Sequence, residues 1–349
     1  MNATDLPALP DGHTPAEAPS VSCKTSNRIF LGLVALVAVF FIPQVLAQDP
    51  APPNLTESAE WSPLAAQGLL LDVANVGEHL IAVGERGNIV TSSDGRRWTQ
   101  VEVPVRATLT AVSFADAQNG WVVGHDEAIL HTSDGGKTWA VQRYRAEGSQ
   151  PLLDVLFVSA TWGFAIGTFG TVLVTSDAGE RWSDLDAPAI RADGLHLHAL
   201  TRLNDGSLLV AGERGLLGWS ADGVTWERLP TPYEGSFFGV SALGASGAVV
   251  FGMQGNTFVT SAPHAGIWRK VELGSTRAAF GGAPMGNGES VLVGADGLMA
   301  IVSADGSVRP FVERAVVAGR RRGSLSGVAM WQGSLLTVGD MGVELYDTR

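Results

Sequence analysis

Hydrophobic and polar positions along residues 57–349 repeat in units of four short runs. A unit starts with an alternating run such as LTAVSFAD, continues with an apolar run that ends in Gly, such as WVVG, and adds a third run such as AILHTS. A turn then leads to a fourth run that opens with Trp, such as WAVQRY. Alternation with a period of two predicts β-strands, and Gly, Asp and Ser between the runs predict tight turns. Each unit is therefore predicted to be a four-stranded antiparallel sheet.

The glycine that ends the second run recurs along the chain at a nearly constant interval. The seven positions are Gly84, Gly124, Gly167, Gly212, Gly252, Gly294 and Gly339. Their spacings are 40, 43, 45, 40, 42 and 45 residues. A fixed period in this range indicates an array of equivalent units. We predict an all-β chain in which residues 57–349 form a seven-bladed β-propeller of four-stranded antiparallel blades.

The seventh unit ends at GVELYDT and lacks a fourth run before Arg349. A counterpart stands ahead of the first unit, where Trp61 opens a short run that resembles the fourth runs of the repeats. We predict that this N-terminal strand completes the last blade. Such pairing would close the ring and remove free sheet edges.

The turn before the fourth run carries an Asp-box motif, in which Ser or Thr, Asp, Gly and Trp stand at fixed spacing. TSDGGKTW at 132–139 and TSDAGERW at 175–182 match it closely, residues 92–98, 220–226 and 303–309 hold shortened copies, and 261–268 has lost the Asp. The Asp is expected to accept backbone N–H groups, the Gly to take positive φ, and the Trp to fill the gap between blades. These structural residues are Asp94, Trp98, Asp134, Trp139, Asp177, Trp182, Asp222, Trp226 and Asp305. Because the Asp recurs in so many units, we assign it no catalytic role.

Residues 1–47 have the pattern of a secretory signal peptide. A Pro- and Ala-rich stretch over 1–28 precedes IFLGLVALVAVFFI at 29–42, an apolar core without a charge. The small-residue site before Gln48 fits cleavage, which leaves 48–56 as a linker to the propeller. We expect an exported, periplasmic protein, or one anchored to the inner membrane if the signal stays uncleaved.

Charge and cysteine content exclude several classes of function. The chain has 23 Lys and Arg against 35 Asp and Glu, and the net charge of −12 argues against nucleic-acid binding. Cys23, the only cysteine, precedes the apolar core, so a disulfide framework, a Cys-rich metal cluster and lipoprotein anchoring are excluded. We assign no cofactor and no metal, and we expect a monomer.

Blade topology sorts the turns onto two faces. The turns that follow the seven glycines share one face with the links between blades, here called the connection face, and the Asp boxes lie on the opposite, Asp-box face. The chain has 20 Arg but only 3 Lys. The predicted partner-binding residues on the connection face are Arg86, Arg106, Arg143, Arg145, Arg191, Arg214, Arg277, Arg314, Arg320, Arg321 and Arg322. Arg recognises carboxylate and phosphate groups bidentately, which favours binding over the alternative of a solvated charged rim.

The repeats resemble those of a known family. VGERGNIVTSSDGRRW, VGHDEAILHTSDGGKTW and IGTFGTVLVTSDAGERW are similar to repeats of the photosystem II stability/assembly factor family, secreted or lumenal seven-bladed propellers of bacterial-neuraminidase-type repeats. The resemblance covers about residues 57–349 and is strongest in the first four units. It implies a non-enzymatic accessory factor, peripheral to the membrane, that docks through an Arg-rich surface on a membrane-protein complex or its assembly intermediate. Since no residue here marks photosynthesis, we expect a relative from a non-photosynthetic bacterium that serves an envelope complex, for example as an accessory subunit of a transporter.

A sialidase-like glycosidase is the enzyme alternative, because sialidases also contain Asp boxes. It would need an Arg triad, a Tyr nucleophile assisted by a Glu, and a general acid. The chain has only Tyr144, Tyr233 and Tyr346. Tyr233 and Glu234 are adjacent in sequence, so their side chains are expected to point apart.

Two groups of residues could in principle hold a metal ion. One is His125, Asp126 and Glu127 with His131, and the other is His196 with His198. Without cysteine support, histidines of the core or the rim are the simpler interpretation.

Overall fold

The computed structural model describes residues 57–146, 150–311 and 323–347, which form seven antiparallel sheets arranged as blades. Blade 1 consists of β1 (Leu70–Asn75), β2 (Leu80–Gly84), β3 (Ile89–Ser92) and β4 (Thr99–Gln100). Blade 2 consists of β5 (Leu109–Phe114), β6 (Gly120–Gly124), β7 (Ile129–Thr132) and β8 (Ala140–Arg143). Blade 3 consists of β9 (Leu152–Phe157), β10 (Gly163–Gly167), β11 (Val172–Thr175) and β12 (Ser183–Asp184).

The other four blades follow the same order. Blade 4 consists of β13 (Leu197–Arg202), β14 (Leu208–Gly212), β15 (Leu217–Ser220) and β16 (Glu227–Arg228). Blade 5 consists of β17 (Phe237–Leu243), β18 (Gly247–Gly252), β19 (Thr257–Thr260) and β20 (Arg269–Val271). Blade 6 consists of β21 (Ala279–Pro284), β22 (Glu289–Gly294), β23 (Leu298–Ser303) and β24 (Val308–Pro310). Blade 7 consists of β25 (Leu325–Trp331), β26 (Ser334–Gly339) and β27 (Gly342–Asp347).

Helical structure is confined to short turns in the described parts of the chain. The 3₁₀ turns are Ala65–Gln67, Glu85–Gly87, His125–Glu127, Thr168–Gly170, Glu213–Gly215, Met253–Gly255, Pro263–Ala265 and Ala295–Gly297, and one α-helical turn, α1, covers Pro188–Arg191. No helix in these parts has the length and apolar character needed to cross a bilayer. The predicted all-β, seven-bladed propeller is confirmed, whereas the predicted signal peptide lies outside the described residues.

Each junction between neighbouring blades has its own hydrophobic cluster. Between blades 3 and 4, for example, Phe164 and Ile166 pack with Leu208 and Val210, all nearly inaccessible to solvent. The Asp-box tryptophans enter these clusters, as Trp139 does between blades 1 and 2 and Trp226 does between blades 3 and 4. Burial of apolar area between blades is therefore the main stabilising term of the ring, at about 25 cal/mol per Å².

The seven strand-ending glycines are required by close packing of backbone. A Cβ atom added at Gly84 would lie 2.1 Å from the carbonyl oxygen of Leu69, and the other six positions give 2.0–2.4 Å to the equivalent oxygen. The φ of Gly84 is −172°, an extended value that any residue can adopt, so a left-handed turn is not the reason. The end of the second strand is pressed against the start of the first, which leaves no room for a side chain.

A β-bulge accompanies this close approach in every blade. In blade 1, Leu70 pairs with Gly84 but Asp72 pairs with Val83, so Leu71 is the extra residue. The same shift occurs at the second residue of β5, β9, β13, β17, β21 and β25. Bulges redirect side chains, and here they turn seven residues towards the centre of the ring.

The prediction that the segment around Trp61 supplies the fourth strand of blade 7 is wrong. The Ala59 N–H donates to the carbonyl of Val103 at 3.0 Å, and the Gln100 side chain bonds the backbone on either side of Trp61. This segment therefore follows the outer edge of blade 1, and Trp61 is 78% exposed. Pro63 also has no N–H for a sheet ladder. The ring closes instead by direct packing of β1 against β25.

The Asp boxes have the predicted turn geometry. The Asp134 carboxylate accepts hydrogen bonds from the N–H groups of Lys137 and Thr138, both at 3.0 Å, and from the Thr132 and Thr138 hydroxyls. Gly136 has a φ of +83°, and the Trp139 indole N–H donates to its carbonyl at 3.2 Å. Hydrogen bonds of the same kind organise the boxes around Asp94, Asp177 and Asp222.

We expect Gly167→Ala to lower the free energy of unfolding by about 2–4 kcal/mol, because its Cβ would lie 2.3 Å from the Pro151 carbonyl oxygen. Gly68→Ala is the control: its nearest neighbour is the flexible Glu85 carboxylate at 3.1 Å, and its cost should stay within about 0.5 kcal/mol. Urea unfolding measures both. Equal effects would show that backbone contact does not require Gly167.

We expect Asp134→Ala to cost about 1–2 kcal/mol at neutral pH, because several turn donors lose their acceptor. Partial burial raises the pKa of Asp134, but hydrogen bonds led by those from Thr138 outweigh this and lower it to about 2. A lowered folded-state pKa contributes stability above the ordinary value of 3.8, and this stability is lost as pH falls through about 2. Unfolding of the variant and of Ser133→Ala, a neighbouring control, should therefore differ at pH 7 and converge near pH 2.

Candidate functional site

Tight turns after the seven glycines project side chains from the connection face. In the first, the Asn88 N–H donates to the Glu85 carbonyl at 3.0 Å, and both central residues, Arg86 and Gly87, have positive φ. This is the geometry of a type I′ hairpin turn. The equivalent tip residues with positive φ in blades 2 to 6 are Asp126, Phe169, Arg214, Gln254 and Asp296. The tips therefore form a ring whose chemistry changes from blade to blade.

The links between blades lie against these turns, as the topology predicts. The Glu85 N–H donates to the Leu69 carbonyl at 3.0 Å, and the His125 N–H to that of Thr108 at 2.9 Å. Five of the predicted arginines are exposed on this face: Arg86, Arg106, Arg145, Arg214 and Arg277. The side chains of Arg86 and Arg145 are 69% and 61% exposed, and each makes only a long ion pair, with Glu85 at 4.0 Å and with Glu127 at 3.8 Å.

Three of the predicted arginines make close hydrogen bonds or ion pairs within the molecule. Arg191 donates to the Gly170 carbonyl at 3.0 Å and to Asp184 at 2.8 Å, and so fastens the link after blade 3. Arg143 donates to the Glu127 carboxylate at 2.9 Å. Arg106 pairs with two carboxylates of the N-terminal segment, each at 3.1 Å. Arg314, Arg320, Arg321 and Arg322 lie outside the described residues.

The connection face also presents groups that the sequence did not single out. Phe169, Met253 and Met341 are large apolar side chains exposed there, the first to 63%. Phe169 packs against His196, with ring centroids 4.9 Å apart. Carboxylates such as Asp296 stand between the arginines. The face therefore combines cationic, anionic and apolar groups. Phe169 could have been identified from the sequence, because it occupies the turn that follows the strand-ending Gly167.

The histidines and their neighbouring carboxylates do not converge on a metal site. The Asp126 carboxylate accepts the Tyr144 hydroxyl at 3.1 Å, and Glu127 is paired with Arg143. His131 is stacked on Trp121 at 4.7 Å inside the sheet, where burial lowers its pKa. The part of the chain that the structure describes contains no group of three or more His, Cys, Asp or Glu side chains placed to hold an ion.

The tyrosines are likewise held by structural contacts. The Tyr233 hydroxyl donates to the carbonyl of Met253 at 3.4 Å, and the neighbouring Glu234 is exposed. The Tyr346 hydroxyl bonds to Glu344. Tyr144, Tyr233 and Tyr346 therefore each have a hydrogen-bond partner within the fold.

The central channel is the second candidate site. It forms a cavity of about 280 Å³ lined by first-strand residues of all seven blades. The seven bulge residues that reach it are Leu71, Thr110, Leu153, His198, Phe238, Phe280 and Ser326. Several of them tie one blade to the next: the Thr110 hydroxyl donates to the Leu152 carbonyl at 2.8 Å, and the Ser326 hydroxyl to that of Leu70 at 2.6 Å.

Asp72 and Asp154 follow the bulges of blades 1 and 3 and also link blades. The Asp72 carboxylate accepts the Val73 N–H at 2.8 Å and, from blade 2, the Val112 N–H at 2.9 Å. Asp154 accepts the N–H groups of Val155 at 2.8 Å and, from blade 4, of Leu200 at 2.7 Å. Burial raises the pKa of Asp72 to about 6 and that of Asp154 to about 7, the latter also through the charge of Asp72. Sequence reasoning missed both, because an Asp in an alternating strand suggests a solvated position.

A seven-bladed ring with Asp boxes on one face and type I′ turns on the other defines an Asp-box β-propeller. The family model described as "Photosynthesis system II assembly factor YCF48" matches residues 90–151 and 144–308, which together span more than half of the chain. The chain therefore belongs to this family, and the family resemblance seen in its repeats is confirmed.

Individual relatives match over shorter segments. The photosystem II stability/assembly factor HCF136 of rice is 30% identical over 139 residues, which cover 34% of this chain and 32% of the relative. The photosystem II assembly protein Ycf48 of Thermosynechococcus vestitus is 36% identical over 50 residues, 14% of each protein. These matches span less than two thirds of either relative.

Solved structures show the same fold over nearly the whole propeller. A structure described as YCF48 bound to D1 peptide superposes with a TM-score of 0.65 at 17% identity, covering 84% of this chain and 97% of that one. YCF48 from Cyanidioschyzon merolae gives 0.64 at 15% identity, covering 83% and 98%. At these identities the likeness establishes the fold alone.

We expect Asp154→Asn to flatten the pH dependence of stability. Because the folded-state pKa is raised, the folded protein binds this proton more tightly than the unfolded chain, so stability declines as pH rises from about 4 to about 7. Asn carries no charge and retains one acceptor for the Leu200 N–H. Chemical unfolding at pH 5 and pH 8 should show the variant gaining stability relative to wild type at the higher pH. A constant difference would contradict the burial of this charge.

Proposed function

We propose that this protein is an exported, monomeric, non-enzymatic propeller that binds a membrane-protein complex, or an assembly intermediate of one, through its connection face. Family membership supports a role as an assembly factor, since the matched relatives carry that description. The solved relative with a D1 peptide is a family propeller in complex with a peptide. The signal peptide predicted for residues 1–47 supports action outside the cytoplasm.

The observation that carries the proposal is the set of exposed arginines on the connection face. Arg86 and Arg214 occupy turn tips, and Arg145 and Arg277 lie on the links between blades. Phe169 and Met253 add exposed apolar area on the same face. Arginine beside aromatic and Met side chains is the composition that protein-binding surfaces favour.

The test reverses charge on one face at a time in the full-length chain. The connection-face variant changes Arg86, Arg145, Arg214 and Arg277 to Glu, and the control changes Arg96, Arg97, Lys137 and Arg181 on the Asp-box face to Glu. The two variants alter net charge equally. After crosslinking in cells and purification, quantitative mass spectrometry compares the membrane-complex subunits that remain bound.

We expect recovery of the complex to fall at least about tenfold with the connection-face variant, because charges at the interface are reversed. Recovery with the control should stay unchanged. Equal recovery with both variants would contradict binding by this face.

Periplasmic fractionation tests the location. Release of fluorophore from sialyl or other glycosyl substrates by the purified chain would contradict the non-enzymatic assignment and favour the glycosidase.

A further inference from the structure

The central channel has two chemically different walls. Asp72 and Asp154 stand on blades 1 and 3, on either side of blade 2. His198, Phe238 and Phe280 stand on blades 4, 5 and 6. In a ring of seven, the position opposite blade 2 falls between blades 5 and 6. The two phenyl rings therefore face the carboxylates across the channel.

Both walls lie at the same level near the connection face. The aromatic residues are the bulge residues of their strands, and each acid directly follows a bulge, so the two sets differ by one residue along the strand. One residue corresponds to about 3.3 Å. Both sets of residues line the same cavity of about 280 Å³.

The aromatic wall is continuous and reaches solvent. Ring centroids are 5.6 Å apart for His198 and Phe238 and 5.8 Å apart for Phe238 and Phe280. Phe280 remains 37% exposed. His198 Nδ1 lies 2.7 Å from the Phe237 carbonyl and must donate to it, so the ring is fixed, and burial lowers its pKa.

The acidic wall lacks a cationic partner among the described residues. The cavity is lined by no Lys or Arg, and its titratable groups are the two carboxylates and His198. In both acids, Oδ1 accepts the N–H of the following residue and Oδ2 accepts one N–H of the next blade. Each oxygen therefore keeps a further lone pair for a second donor. With both acids ionised, the channel therefore carries negative charge opposite aromatic faces.

We propose that the central channel binds an organic cation of the guanidinium class, with the carboxylates of Asp72 and Asp154 accepting its N–H groups and Phe238 and Phe280 contacting its planar face. Planar guanidinium groups combine bidentate bonding to carboxylate with stacking on aromatic rings. The cation has two possible sources, an Arg side chain of a bound protein and a free small molecule. The channel site does not include the exposed arginines of the connection face. The proposed cation binding is therefore independent of the proposed partner binding.

The test titrates the full-length chain with N-acetyl-arginine amide, methylguanidinium and an acetylated peptide with a central Arg, using calorimetry. The citrulline analogue of the first probe has the same shape without the charge. We expect saturable binding of the guanidinium probes and none of the citrulline analogue. Tighter binding of the peptide would indicate a protein side chain as the source, whereas equal binding of methylguanidinium would indicate a small molecule.

The pH dependence provides a test on the unaltered protein. Because the pKa values of Asp72 and Asp154 are raised to about 6 and about 7, both acids ionise fully only above neutral pH. Affinity should therefore rise by about tenfold or more from pH 5.5 to pH 8. Affinity that does not change over this range, or no saturation by about 10 mM probe, would overturn the proposal.

Variants separate the two walls. Asp72→Asn with Asp154→Asn should abolish binding, and Phe238→Leu with Phe280→Leu should weaken it by about three- to tenfold. The matched control, Glu180→Gln with Asp186→Asn, removes two charges at exposed positions outside the channel and should bind like wild type. Equal binding by the channel variants and the control would assign the cation to another surface.

Discussion

The propeller depends on one close contact, repeated in every blade, between the end of the second strand and the start of the first. The glycine at that strand end, Gly84 in blade 1, lets the backbone approach so closely that a methyl group would collide with a carbonyl oxygen. The contact brings the following turn against the link between blades and coincides with the bulge that directs a side chain into the channel. The connection face and the channel lining therefore arise from the same constraint.

The two faces of the ring consequently have different roles. On the Asp-box face, the carboxylates accept hydrogen bonds within their own turns, as Asp134 does, and the tryptophans pack between blades. On the connection face, the backbone is satisfied by the turns themselves, so side chains such as Arg86 and Phe169 extend into solvent. A rigid scaffold with variable tips is well suited to partner binding.

The repeat period and the Asp boxes were sufficient to predict the number of blades, the strand order and the roles of Asp134 and Trp139. The path of the N-terminal segment could not be predicted, because the Gln100 side chain directs it along blade 1. Nor could the exposed arginines be distinguished from those with close internal partners, because Arg191 donates to the carbonyls of Gly170 and Leu185, which only folding brings near it. Asp72 was missed because its burial depends on a bulge. A bulge is a property of strand register and cannot be recognised from composition.

The most direct test of partner binding through the connection face places a photo-crosslinking amino acid at Phe169 on that face or at Ser133 on the Asp-box face of the full-length protein in living cells. Both positions are exposed, so intrinsic accessibility does not favour either. If the partner binds the connection face, we expect crosslinks to subunits of a membrane complex from position 169 and none from position 133. Crosslinks confined to position 133 would contradict it.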